Sequence, residues 1–207
     1  MIKRTGPRLQ QPGEFVGVDW GNPITAGLAF LQTGPHEDAV SGRVGIRYGS
    51  ARTAFERRGL GWYSPGTTSD GVYFPLPSTI PSALGDCSVF LLARIDSWAA
   101  FGTLLDIPYA AGTWVSPFGA VGVQQNNATG KIRLWGTQVG GAGLSFPSTI
   151  STPTGVHYSI GVARRGLDAW FDINGARERV TEATSLTGAF DLVNRTPINL
   201  LNRSHSA

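Results

Sequence analysis

Side chains able to do acid–base or nucleophilic chemistry are few and scattered. The glutamates stand at Glu14, Glu37, Glu56, Glu178 and Glu182. Retaining glycoside cleavage needs two carboxyl groups roughly 5 Å apart, one attacking and one donating a proton. Glu178 and Glu182 are four residues apart, but they lie in a polar stretch after an Asn-Gly turn and read as a solvated face. Asp168 and Asp172 can point to one side of a strand, yet Asp168 sits at a hairpin turn. A Ser–His–Asp relay needs a histidine with an orienting partner. Of His36, His157 and His205, only His157 lies in a periodic segment, and there it alternates with apolar positions, which suits a structural role. Three histidines and one cysteine, widely spaced, give no zinc pattern. No Walker-type glycine loop for phosphate is present. The expectation is therefore that the chain is not an enzyme and holds no cofactor. A sugar-binding site instead needs exposed aromatics beside polar groups. Trp98, Tyr109 and Trp114 fall near expected loops and form the candidate glycan-binding set. Trp62, Trp135 and Trp170 fall in expected strands and read as core or interface.

The elements that would position these residues are strands. With 28 glycines and 13 prolines spread between apolar runs, the 207 residues have the look of a β-rich domain with many turns. No run shows helical periodicity with caps. No apolar window reaches about 18 residues, so no membrane span is expected. Met1–Arg4 is basic but no apolar stretch follows, so no signal peptide is expected, and the chain is expected to fold in a reducing cytoplasm. Cys87, placed before the run Val89–Leu92, reads as a small buried residue. The net charge of +3 comes largely from Lys3, Arg4, Arg8, Arg43, Arg47, Arg52, Arg57 and Arg58. These are dispersed rather than interleaved with aromatics, which argues for a solvated or partner-facing surface and against nucleic acid.

Along the chain, residues 1–22 read as an extended arm broken by Gly6-Pro7 and Gln11-Pro12-Gly13. Its apolar residues Phe15, Val16, Val18 and Trp20 have no local partner and are expected to pack on the domain or on another subunit. Residues 23–207 form the domain. Short strands are expected at Val44–Tyr48, Gly59–Tyr63 and Gly71–Phe74. Asp86–Ile95 reads as a strand with Val89, Leu91, Ala93 and Ile95 on one face by the period of two. Phe101–Ile107 is expected next, then a hairpin of Phe118–Gln124 and Lys131–Thr137, then a glycine loop at Gly140–Gly143. Val156–Ala163 and Leu167–Asn174 form a second hairpin around Arg164-Arg165-Gly166. Val156, Tyr158, Ile160 and Val162 should share one face, as should Ala169, Phe171 and Ile173.

That last hairpin, V-H-Y-S-I-G-V-A / R-R-G / L-D-A-W-F-D-I-N-G, resembles the laminin-G / concanavalin-A-like jelly roll. So do the opening Pro23–Leu31, the D-C-S-V-F-L-L-A-R-I run, F-G-T-L-L-D and Ile198-Asn199-Leu200-Leu201-Asn202-Arg203, in that order. The resemblance covers about residues 20–203. It implies an all-β fold, a two-sheet antiparallel jelly-roll sandwich with an extended N-terminal arm. Relatives of this kind are found in structural proteins of tailed bacteriophages. It therefore implies a virion protein made in the host cytoplasm, foremost a capsid decoration or accessory subunit. Its partners would be the major capsid protein, other virion proteins or further copies of itself in a homo-oligomer. The alternative is a lectin-like module on a tail or fibre that holds a host glycan. Such domains often bind calcium; Asp70 and Asp106 are the loop-adjacent candidates, although no D-x-[DN]-x-[DN]-G loop exists. Family members usually continue past the Ile198–Arg203 strand to close the sheet, so an open edge is expected to be capped by the arm or by a neighbour's strand.

Overall fold

A computed structural model describes residues 29, 40, 42–56, 59–64, 70–96, 102–108, 119–126, 129–181, 188–194 and 196–201. The arm, with Phe15, Val16, Val18 and Trp20, lies outside the described residues, and so does any capping of a sheet edge by it. Among the described residues every regular element is a strand. In chain order these are β1 (Ile46–Tyr48), β2 (Arg52–Glu56), β3 (Gly59–Tyr63), β4 (Gly71–Phe74), β5 (Ala83–Leu84), β6 (Cys87–Ile95), β7 (Thr103–Pro108) and β8 (Gly119–Gln125). They continue with β9 (Lys131–Thr137), β10 (Gly143–Ser151), β11 (Val156–Arg165), β12 (Asp168–Ile173), β13 (Ala176–Thr181), β14 (Phe190–Asp191) and β15 (Ile198–Leu200).

Two main antiparallel sheets face each other. One has seven strands in the order β1-β4-β15-β7-β8-β9-β10, the other four in the order β13-β12-β11-β6. Two short ribbons, β14-β5 and β2-β3, complete the described strands. The fold is a jelly-roll-like sandwich, as the resemblance implied. Leu105, Ile107, Val121, Val123, Leu134, Leu144 and Phe146 of the larger sheet are buried, as are Tyr158, Ile160, Val162, Ala169, Phe171 and Ile173 of the smaller. Inward rows of this kind from two twisted sheets make one core.

The expected hairpin is present. Gly166 turns it at φ 59°, and Asn174 and Gly175 at φ 51° and 86° turn the chain again into β13. Positive φ is where glycine and asparagine are tolerated and branched residues are not. Val156 shares the expected face with Tyr158, Ile160 and Val162, pairing with buried Ile95, but is 42% exposed at the open start of β11. Five strands were not expected: the short β2, β5 and β14, and the longer β10 and β13. β10 contains Pro147, which demotes a strand pattern, but β10 is a sheet edge and proline is permitted there. β13 is almost wholly polar and is also an edge, where mixed charge discourages further pairing.

Strand β13 overturns the reading of Glu178 as solvated. Glu178 lies on β13 at a position paired with the core residue Phe171. Ser148 Oγ donates to Glu178 Oε2 at 2.7 Å, the Thr149 N–H to the same oxygen at 2.8 Å, and Thr149 Oγ1 to Oε1 at 2.8 Å. The β9–β10 register shifts between Pro147 and Ser151, and the carboxylate takes a backbone donor from the shifted stretch. Glu178 thus ties an edge of the four-stranded sheet to an edge of the seven-stranded one.

A second unexpected tie is Arg164, which is buried and points into the sandwich. Its Nε donates to the Gly166 carbonyl at 3.1 Å and its Nη2 to the Gly188 carbonyl at 2.7 Å. Its guanidinium lies 4.6 Å from the centre of the buried Phe190 ring, a cation–π placement. Arg164 pairs in register with Cys87, which is a free, partly buried thiol. Burial pushes that thiol up to about 11 against the opposing pull of Arg164.

Candidate functional site

The outer face of the four-stranded sheet carries the open surface feature. Along β6 the inward residues Val89, Leu91 and Ala93 are partly buried and Ile95 is buried, while Ser88, Phe90, Leu92 and Arg94 point out. Phe90 is 68% exposed and Leu92 62%. The neighbouring strand β11 puts small side chains on the same face: Ser159, Gly161 and Ala163. Beyond it, β12 presents Trp170, 47% exposed, and Asp172. Trp170 is therefore a surface residue, not core, because it falls on the outward phase between buried Ala169 and Phe171. A trough of about 410 Å³ results, with Phe90 on one wall, Trp170 and Asp172 on the other, and Gly161 as floor.

Register explains the shape. Gly161 pairs with Phe90 on one side and Asp172 on the other, and Ala163 pairs with Ser88 and Trp170. A side chain at Gly161 would meet only Asp172, its Cβ 3.5 Å from the Asp172 Cβ. The trough exists because the central strand has almost nothing to put in it.

Two ion pairs flank the trough. Arg177 Nε donates to Asp172 Oδ2 at 2.8 Å, and the Gly175 N–H donates to Oδ1 at 3.0 Å. Arg179 Nη2 donates to Asp168 Oδ2 at 2.7 Å and Thr181 Oγ1 to Oδ1 at 2.6 Å. The bond from Arg177 holds the Asp172 carboxyl below the usual range, and bonds from Arg179 and Thr181 do the same for Asp168. Arg179 also lies 5.3 Å from the centre of the Trp170 ring. These carboxylates are fixed as anions, each with an arginine. Four residues apart on one strand, at about 3.3 Å per residue, they stand some 13 Å apart, beyond the roughly 5–9.5 Å that paired-carboxyl glycoside cleavage uses.

The outer face of the seven-stranded sheet is different. Asn199, Asp106, Gly122 and Trp135 line up across four adjacent strands, and Gln124 lies beside them. Asp106, Asn199 and Gln124 are fully buried. Over Gly122 there is no room: a Cβ would lie 2.9 Å from Asp106 Oδ1 and 3.0 Å from Trp135 Nε1. At the same end Tyr48 has its phenol pushed up to about 12 by burial, then by the charges of Asp106 and Asp70. Asp70 is buried too and accepts the Ser50 N–H. Asp70 and Asp106, the calcium candidates, are thus both buried, and the charges of both act on the Tyr48 phenol. Among the described residues no three His, Cys, Asp or Glu side chains gather as metal ligands would.

Trp98, Tyr109 and Trp114 lie outside the described residues. The trough residues Phe90, Gly161, Asp172 and Arg177 were not among the residues expected to bind. The signal that could have found them is apolar side chains on both phases of β6, which a strand facing water on one side does not need.

No family model matches the chain, and no characterised protein matches it by sequence. Solved structures do resemble it. The binding domain of Paraclostridial Mosquitocidal Protein 1 superposes with a TM-score of 0.63 at 9% identity, over 85% of this chain and 44% of that one. Domain 4 of AbnA, an extracellular arabinanase of Geobacillus stearothermophilus solved with arabinotriose, gives 0.57 at 13% identity, over 81% of this chain and 78% of that one. The enzymatically active domain of tailspike protein 2 of bacteriophage CBA120 gives 0.51 at 14% identity, over 86% of this chain and 27% of that one. The chain spans less than half of the toxin domain and about a quarter of the tailspike fragment. At such identities the likeness is one of fold: this chain is built as the same kind of β-sandwich that these proteins carry.

Proposed function

We propose that this chain is a non-catalytic binding subunit of a tailed-bacteriophage particle. The observation that carries it is the outer face of the four-stranded sheet, where Phe90, Leu92 and Trp170 stand exposed beside fixed ion pairs. Exposed apolar surface rimmed by polar groups marks interaction sites. The laminin-G-like order of motifs, of the kind found in phage structural proteins, supports the virion setting. The spacing and arginine pairing of Asp168 and Asp172 support a role without catalysis. Two placements share this reading. As a capsid decoration subunit the chain binds the shell through its arm (Phe15, Val16, Val18, Trp20) and a sandwich face, with homo-oligomer contacts added. On a tail or fibre the same face meets the host surface.

Quantitative mass spectrometry of purified particles tests the setting. Copies comparable to the major capsid protein mean decoration, and a few copies mean tail or fibre. Absence from the particle overturns the proposal. For the tail placement, purified chain added to host cells should compete with phage adsorption.

A further inference from the structure

Resting on the reading of the chain as a binding subunit, we propose that the trough between Phe90 and Trp170 is a binding site for neutral sugar rings of a surface glycan. Adjacent strands lie about 4.8 Å apart, so side chains of β6 and β12 stand roughly 10 Å apart across β11. Between them the floor holds nothing larger than the methyl of Ala163. A gap of that width, with a volume of about 410 Å³, is within the usual range for small-ligand sites. Its walls and floor are almost wholly apolar, with Asp172 and Arg177 at the edge. Phe90 and Trp170 offer aromatic surface to the C–H face of a sugar. Asp172 and Arg177 offer an acceptor and donors to its hydroxyl rim.

Both kinds of group are held in place before any ligand arrives. Arg179, clamped by Asp168, packs on the Trp170 ring, and Asp172 is fixed by Gly175 and Arg177. Side chains already ordered lose less entropy on binding. Charge selects the class. Arg177 and Arg179 each face a carboxylate, so these two pairs add no net charge with which to attract an acidic sugar. A protein partner would have to bury both ion pairs and pay their desolvation. A sugar replaces part of their water with its own hydroxyls.

The test uses the full chain, titrated calorimetrically with neutral hexose and pentose oligosaccharides of three to six units and with uronic-acid and sialic-acid counterparts. Three variants accompany it: Phe90→Ala, Trp170→Ala and Gly161→Val. Gly161→Val fills the floor, and its Cβ meets only an ordinary contact at 3.5 Å, so the sheet is kept. The expected result is binding of a neutral oligosaccharide that falls at least about tenfold in each variant at an unchanged melting temperature, as losing about 1.4 kcal/mol of contact requires. Preference for the acidic sugars overturns the neutral assignment. Sugar binding that none of the three variants weakens overturns the trough and leaves the binding-subunit reading standing. No sugar binding, with phage adsorption still blocked by the chain, overturns the glycan and leaves that reading too. No sugar binding, with the chain absent from particles, sinks both.

Discussion

Glu178 on β13 and Thr149 on β10 hold the two sheets together at one edge: both oxygens of the carboxylate accept from Thr149, one from its N–H and one from its hydroxyl. Apart from Arg164, the inward rows of the two sheets are mainly apolar, and such contacts are non-directional and tolerate sliding. The carboxylate adds a directional contact that fixes how the edges align.

Replacing Glu178 by Gln should lower stability by about 1 kcal/mol, less than a fully buried charged hydrogen bond because the group is partly exposed. Urea denaturation measures it. In a double-mutant cycle with Thr149→Val the two changes should cost less together than their sum, since they break the same contact. Full additivity would mean that the tie contributes nothing.

The same contact should weaken in acid. Burial pushes Glu178 up, but the donors from Ser148, Thr149 and Ile150 outweigh it and hold the carboxyl below its ordinary 4.5. A carboxyl depressed in the folded state stabilises fully above its unfolded value and loses that contribution as pH falls through the folded value. The stability gap between wild type and Glu178→Gln should therefore be constant at neutral pH and close below about pH 4.5. A gap that widens in acid would show that the sign is wrong.

Arg164→Met should cost about 2 kcal/mol, because it removes the bond to the half-buried Gly188 carbonyl and the charge over the buried Phe190 ring. Thermal unfolding should show a drop of several degrees. A melting temperature within one degree of wild type would refute the tie.

Two strand glycines should respond oppositely to the same change. A Cβ at Gly136 would lie 2.3 Å from the Ala120 carbonyl oxygen and 2.7 Å from Phe190. Gly136→Ala must push backbone and should cost more than about 2 kcal/mol, as overpacking does. Gly161→Ala meets only the 3.5 Å contact and should be neutral or stabilise by about 0.5 kcal/mol through lower unfolded-state entropy. Chemical denaturation of the two variants compares them directly.

Cys87 should react slowly with iodoacetamide at pH 7.5 in the native chain and quickly once unfolded. Its thiol at about 11 leaves almost no thiolate. Fast native alkylation, read by mass spectrometry, would place the side chain elsewhere.

The hairpin of β11 and β12 was legible because three signals agree there: period-two apolar residues, Gly166 at one turn and Asn174-Gly175 at the next. The edge strands β10 and β13 were not legible. Pro147 and the charges of β13 are what an edge permits, and from sequence alone they look like loop. Only the inward half of β6 was legible from its alternation. The trough needs more than alternation, since Phe90 and Trp170 come into one site only after β6 docks on β11, seventy residues along the chain. Local pattern does not encode which strand lies next to which.

The position of β15 has a consequence for synthesis on the ribosome. Ile198–Leu200 sits between β4 and β7, pairing with both. Until residue 200 has emerged, β1-β4 and β7-β8-β9-β10 are two separate strips, each with a bare edge where β15 belongs. Most of the nascent domain must therefore wait, already translated but not yet closed, with those edges available to chaperones or to neighbouring nascent chains. Closure is then a single late event that joins the two strips through three residues.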